Sequence, residues 1–127
     1  GVRVYSPMQA YRDIGRQFSR FAVIAANNQS TAGIERSLSV HNPTLDVLGL
    51  GILPLVDAVE QRLAPEEIVR RFALAELADF FRRNGAECLI LGCTHFPYFR
   101  QALEQCTDLP LIDPADRMYE RLVEMLG

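Results

Sequence analysis

Short apolar runs alternate along the chain with longer stretches in which apolar residues recur every three or four positions. A continuous apolar run of a few residues fits a strand buried on both faces, and the three-to-four spacing fits a helix with one buried side. Alternation of the two predicts a parallel sheet covered by helices, because each parallel return needs a crossover.

Val2 to Ser6 reads as the first strand, and Pro7 suits the first position of a helix reaching about Phe18. The run FAVIAA, Phe21 to Ala26, is a buried second strand. A polar turn, Asn27 to Thr31, follows, with an Asn or Ser available to cap a helix to about Val40. Asn42 and Pro43 break that helix, and Leu45 to Gly51 supplies a third strand. A short helix from Leu53 to Arg62 precedes a long one opening at Pro65, with Val69, Phe72, Ala73 and Leu77 at helical spacing and Gly85 as its stop. Glu87 to Gly92 is the fourth strand, and Leu109 to Asp113 the fifth. The helix between them carries Phe99, Ala102, Leu103 and Cys106 on one stripe. Asp113 caps a last helix whose Tyr119, Leu122, Val123 and Leu126 are expected to face inward. The expected architecture is an α/β three-layer sandwich, a single domain over residues 1–127, with a mainly parallel sheet of about five strands and right-handed crossovers.

Bulk composition narrows the function classes. Hydrophobic residues form 49% and charged residues 23% of 127, ordinary proportions for one globular domain. No apolar run nears the roughly 20 residues that span a bilayer, and no signal-like start is present, so the cytoplasm is the expected compartment. A net charge of -3 with scattered arginines builds no phosphate-binding stripe, which argues against nucleic acid as a partner. The three cysteines, Cys88, Cys93 and Cys106, are too few and odd for a disulfide framework. Every basic residue is arginine, and without lysine no Schiff-base or pyridoxal phosphate chemistry can run on this chain.

One segment concentrates chemistry. Gly92-Cys93-Thr94-His95-Phe96-Pro97 falls at the carboxyl end of the fourth strand, where open parallel sheets bind ligands. Pro97 starts the next helix, leaving the amides around Thr94 and His95 aimed at the crevice and suited to a carboxylate. The same partial charge favours the thiolate of Cys93 as a proton base, with His95 stabilising it or shuttling a proton. On spacing alone, a small residue at a strand end beside an ordinary loop histidine stays an open alternative. A metal site is disfavoured, because His41 is the one other histidine and reads as a surface residue. Cys88, five residues before Cys93, and Cys106, on its helix stripe, read as core.

The string LILGCTHFPYF resembles the second catalytic motif of the glutamate and aspartate racemases. PLIDPADRMYERL, FAVIAANNQSTAGIERSL and DVLGLGILPLVDAVEQ resemble further segments of glutamate racemases, in family order and over nearly the whole chain. The resemblance implies two similar α/β domains closed over an amino acid, one thiol from each on opposite sides of the α-carbon, and no cofactor. Inversion needs both, because one thiol cannot remove a proton from one face and deliver another to the opposite face. Carried over, Cys93 is one acid-base thiol, His95 its partner, Thr94 a substrate contact, and Ser30 and Thr31 further contacts in a turn that departs from the family pattern. Asp57 stands where the family has a glutamate that assists the histidine. Nothing here matches the family's first cysteine or its Asp-Ser motif, so the resemblance is to a second half, with a missing N-terminal half or a homodimer partner implied. The implied activity is interconversion of L- and D-glutamate for peptidoglycan synthesis, incomplete in this chain alone. Two other readings stay open: a one-cysteine relative that decarboxylates a malonate-like substrate, and a non-catalytic assembly module joined through the apolar run Leu48 to Val56.

Overall fold

In the computed structural model of the chain, which describes residues 6–126, five of the six residues of β1 (Arg20–Ala25) are buried. The reason is position: β1 is paired in parallel on both edges, with β2 (Asp46–Gly51) on one side and β3 (Cys88–Leu91) on the other. A short β4 (Leu111–Ile112) pairs with β3, giving the order β2-β1-β3-β4. Side chains alternate across this sheet as the pleat requires. Ala22, Ile24, Leu89, Leu91 and Leu111 join one core, and Phe21, Val23, Ala25, Cys88 and Ile90 the other.

Among the described residues, seven helices cover the two faces. On the second core lie α1 (Pro7–Gly15), through Ile14, and α2 (Asn28–Leu38), through Ile34 and Leu38. On the first lie α3 (Leu53–Glu60), α4 (Pro65–Arg71), α5 (Leu74–Arg83) and α6 (Pro97–Glu104). The last helix, α7 (Pro114–Leu126), contacts α1. The crossover from β1 to β2 runs through α2 on one face, while those to β3 and β4 run in the reverse direction along the sheet through helices on the other. One handedness for all crossovers requires this switch of face. The order reverses between β1 and β3, and the carboxyl ends of these two strands therefore flank a crevice.

Local signals set the helix ends. Ser6 accepts from the Gln9 amide at 3.2 Å while Gln9 returns the bond to the Ser6 amide at 2.7 Å, a capping box ahead of Pro7. Asn27 caps α2 by accepting from the Ser30 amide at 2.8 Å. Asp113, as expected, caps α7, its Oδ1 accepting from the Ala115 amide at 2.9 Å.

Five expectations need correction. The described residues form four strands, not about five; residues 2–5 of the proposed first strand lie outside the described region, and Ser6 belongs to a helix cap. Helix α1 stops at Gly15 rather than near Phe18. The long helix from Pro65 is two helices, divided at Phe72 and Ala73, where Ala73 has φ 51°. That left-handed residue is mildly unfavourable, and the redirection lets Leu74, Ala78 and Phe81 reach the core. Cys106 is exposed, because α6 ends at Glu104 before its stripe reaches that residue. Tyr119, Leu122, Val123 and Leu126 are also exposed, Tyr119 at 69% and Leu126 at 79%: α7 is amphipathic, but much of its apolar row stays uncovered. Within the run Leu48 to Val56, Leu50 and Leu53 are exposed and Leu55 and Val56 buried.

The crossing of α1 on α2 is close because Gly15 has no side chain: a Cβ there would lie 2.2 Å from the Leu38 carbonyl oxygen. Gly15→Ala is expected to lower unfolding stability by about 1–3 kcal/mol through forced separation of the two helices. Urea denaturation checks this, and an unchanged midpoint would contradict it.

Candidate active site

The four described strands all end on the side of the sheet that holds the crevice. From β1 the chain passes to Asn27 and Asn28, from β2 to Ile52, from β3 to Gly92 and Cys93, and from β4 to Asp113. Gly92 is fixed first: its amide donates to the Ile24 carbonyl at 2.8 Å. A Cβ on it would fall 2.6 Å from Ile34 Cδ1 and 3.0 Å from that same carbonyl. The chain turns, the Phe96 amide donates to the Cys93 carbonyl at 3.0 Å, and Pro97 opens α6. Phe96 and Phe99, both fully buried with ring centroids 5.3 Å apart, anchor this turn in the core. Among the described residues neither the Thr94 nor the His95 amide donates to a protein acceptor. Both remain available to an anion at the helix start.

The turn sets Cys93 Sγ 3.8 Å from His95 Nδ1, and His95 Nε2 lies 3.3 Å from Glu60 Oε1. The three groups form a chain from sulfur to ring to carboxylate. With Nε2 protonated and donating to Glu60, Nδ1 is free to accept from the thiol; with both nitrogens protonated, the ring lies between two negative groups. Cys93 is half-buried and lines a hollow of about 180 Å³ whose walls include Tyr11, Thr94, Asp113 and Met118. Thiol reactivity is therefore compatible with its exposure.

The sequence-expected residues are only partly brought together. Cys93, His95 and Thr94 share the turn, Thr94 being exposed at its rim. The carboxylate against His95 is Glu60, not Asp57, which is exposed nearly one turn earlier on α3. Ser30 and Thr31 belong to the first turn of α2 rather than to a loop. Ser30 lines an adjoining open hollow with Tyr11, Gly33, Arg36 and Gly92. Thr31 is buried, its hydroxyl donating to the Asn28 carbonyl at 2.7 Å and its side chain packed over Gly49, so its hydroxyl is engaged within α2. Glu60 and Tyr11 escaped the sequence reading. For Glu60 a signal existed, since it lies three residues from Asp57, within reach on the same helical side; for Tyr11 there was none beyond its place in an amphipathic helix.

A model of the Asp/Glu/Hydantoin racemase family matches residues 6–121. The chain belongs to this family. Among similar family proteins, the glutamate racemase of Limosilactobacillus reuteri (strain DSM 20016) is 32% identical over 93 residues, covering 72% of this chain and 34% of that protein. The glutamate racemase of Koribacter versatilis (strain Ellin345) is 27% identical over 117 residues, covering 84% and 40%. The same fold occurs in glutamate racemase from Francisella tularensis subsp. tularensis SCHU S4 in complex with D-glutamate, with a TM-score of 0.72 at 21% identity over 94% of this chain and 46% of that one. Glutamate racemase isoform RacE1 from Bacillus anthracis gives 0.71 at 22% identity, covering 94% and 47%. The chain thus spans 34% and 40% of the length of the two curated relatives named here. As a family member it has an α/β racemase fold with a parallel sheet flanked by helices.

The other two thiols stand apart from the crevice. Cys106 follows α6 at the opposite end of the sheet, beside Asp79, Arg82 and Thr107. Cys88 opens β3, fully buried, and burial first, then the charge of Glu87, push its thiol from 9.0 up to about 12. Between those values the folded chain keeps a proton that the unfolded chain has released. The stabilising contribution is thus complete below about pH 9 and is lost as pH rises toward about 12. Tyr11, raised from 10.0 to about 12 mainly by burial, adds a loss of the same sign. Chemical denaturation at stepped alkaline pH is expected to show falling stability, with a shallower fall in Cys88→Ala. An equal slope in both proteins would contradict the assignment.

Proposed function

We propose that this chain contributes one of the two acid-base thiols of a cofactor-independent glutamate racemase, interconverting L- and D-glutamate in the cytoplasm to supply peptidoglycan precursors. The observation that carries the reading is the Cys93-His95-Glu60 chain at the sheet's switch-point crevice, within a chain of the racemase family. In this mechanism the Cys93 thiolate removes the substrate α-proton from one face, while a thiol on the other face delivers a proton to the carbanion. In the reverse direction Cys93 is the donor. His95 holds the sulfur's charge during each transfer, and the free amides at Thr94 and His95 receive the substrate carboxylate. Glu60 orients the ring; at 59% exposure its side chain gives a modest, solvent-screened contribution.

The second thiol must come from further protein, because Cys88 is sealed in the core and Cys106 lies at the far end of the sheet. A supplied N-terminal racemase half or a second copy would provide it. The exposed apolar row of α7 supports a site completed by further protein.

The test follows exchange of the α-proton for deuterium and inversion of L- and D-glutamate, in the chain alone and with an N-terminal racemase half added. Racemisation is expected on mixing, and Cys93→Ser is expected to lower it by about 10³-fold or more. Wild-type turnover by Cys93→Ser, or no inversion and no exchange in any combination, would overturn the proposal. In the mixed system Glu60→Gln is expected to lower kcat by roughly 3- to 30-fold, an orienting effect, while Asp57→Asn leaves it near wild type. The reverse ranking would return the supporting role to Asp57.

A further inference from the structure

The groups around Cys93 arrive from both faces of the sheet. His95 and Glu60 lie on the side of α3, whereas Tyr11 of α1 and Asp113 beyond β4 share with Cys93 the hollow on the other side. Arg36 of α2 borders the adjoining open hollow, which shares Tyr11 and Gly92 with the first. Asp113 is buried, with Oδ1 held by the Ala115 amide. Cys93 thus shares with a fixed carboxylate a hollow otherwise walled largely by Pro7, Leu91, Pro97, Pro114 and Met118. A hydrogen-bond donor on this side would serve a thiolate that His95 meets from the other. Among the described residues the wall carries two side-chain hydroxyls, that of Thr94 on an exposed residue and that of Tyr11 on a half-buried one.

We propose that Tyr11 is a positioning residue of this site, its phenolic hydroxyl donating a hydrogen bond to the Cys93 thiolate from the face of the sheet opposite His95. The inference rests on Cys93 being the acid-base thiol proposed above. The phenol suits the task because it keeps its proton wherever the thiolate works: burial, then the charges of Asp113 and Cys93, push it up to about 12. The hydroxyl itself neither takes nor gives the substrate proton. It helps His95 hold the sulfur ionised and aimed.

Tyr11→Phe removes the hydroxyl and keeps the ring that packs against the second core. Iodoacetamide alkylation of Cys93 is followed from about pH 5.5 to 9.5, bracketing thiol ionisation, with fragment mass spectrometry separating it from Cys88. In Tyr11→Phe the midpoint of the pH profile is expected to rise by roughly 0.5 to 1 unit. The rate near pH 7 then falls by roughly three- to tenfold, while the plateau rate at high pH is retained. A purely structural role would alter the plateau through access and leave the midpoint in place. An unmoved midpoint in Tyr11→Phe, alongside a moved one in His95→Ala, would overturn this inference and leave the proposed function standing. A wild-type Cys93 that resists alkylation across the range would overturn both. In the mixed racemase assay, Tyr11→Phe is expected to lower kcat with KM little changed; a raised KM with kcat intact would place the hydroxyl on substrate and overturn the assignment to sulfur.

Discussion

Everything at the crevice depends on one close approach, that of Gly92 to the end of β1. Its amide bonds to Ile24 and its missing side chain leaves room for Ile34. This contact joins β1, β3 and α2 at the point where sheet order reverses, and it sets the direction in which the chain leaves β3. Cys93 and His95 follow within three residues, so their separation is decided by backbone that has little freedom to relax. A side chain at position 92 would lift the turn off the sheet and displace the sulfur from the ring. The buried Phe96 and Phe99 hold the other end of the turn, leaving the reactive groups suspended between two fixed points.

Around that turn the electrostatics are divided. From one face comes an exposed ion-pair partner, Glu60, whose field is damped by water. From the other comes Asp113, removed from water and bound by its own helix start, so that its charge is less screened. The thiol lies between an exposed group that orients the imidazole on one side and a buried carboxylate across the hollow on the other. The neighbours of this sulfur stand on separate elements, so the relative placement of α1, α3 and α7 sets its surroundings.

Much of this was legible in the chain because it is written locally. FAVIAA and CLIL are continuous apolar runs, and both are fully buried apart from the first strand's edges. Pro7, Pro65, Pro97 and Pro114 each stand at a helix start, where proline costs no hydrogen bond. The GCTH turn was readable for the same reason, being one contiguous segment. What failed depended on tertiary geometry. Helical spacing across Phe72 and Ala73 continued without a break, but packing of Leu74 and Phe81 required one. An apolar row such as Tyr119 to Leu126 says that a face seeks cover, not that the cover belongs to the same stretch of chain. Glu60 and Asp57 differ by three residues on one helix, and only the rotation of α3 against the turn decides which meets His95.

The unequal fates of Cys88 and Cys93 bear on how the protein endures oxidants. A half-buried sulfur at a crevice is open to peroxide, and its first product, a sulfenic acid, is ordinarily rescued when a neighbouring thiol closes a disulfide. Here one candidate is walled into hydrocarbon five residues away and the other lies beyond the far rim of the sheet. Cys93 therefore has no resolving partner among the chain's own cysteines, and its recovery after oxidation falls to a thiol brought to the crevice from outside this chain.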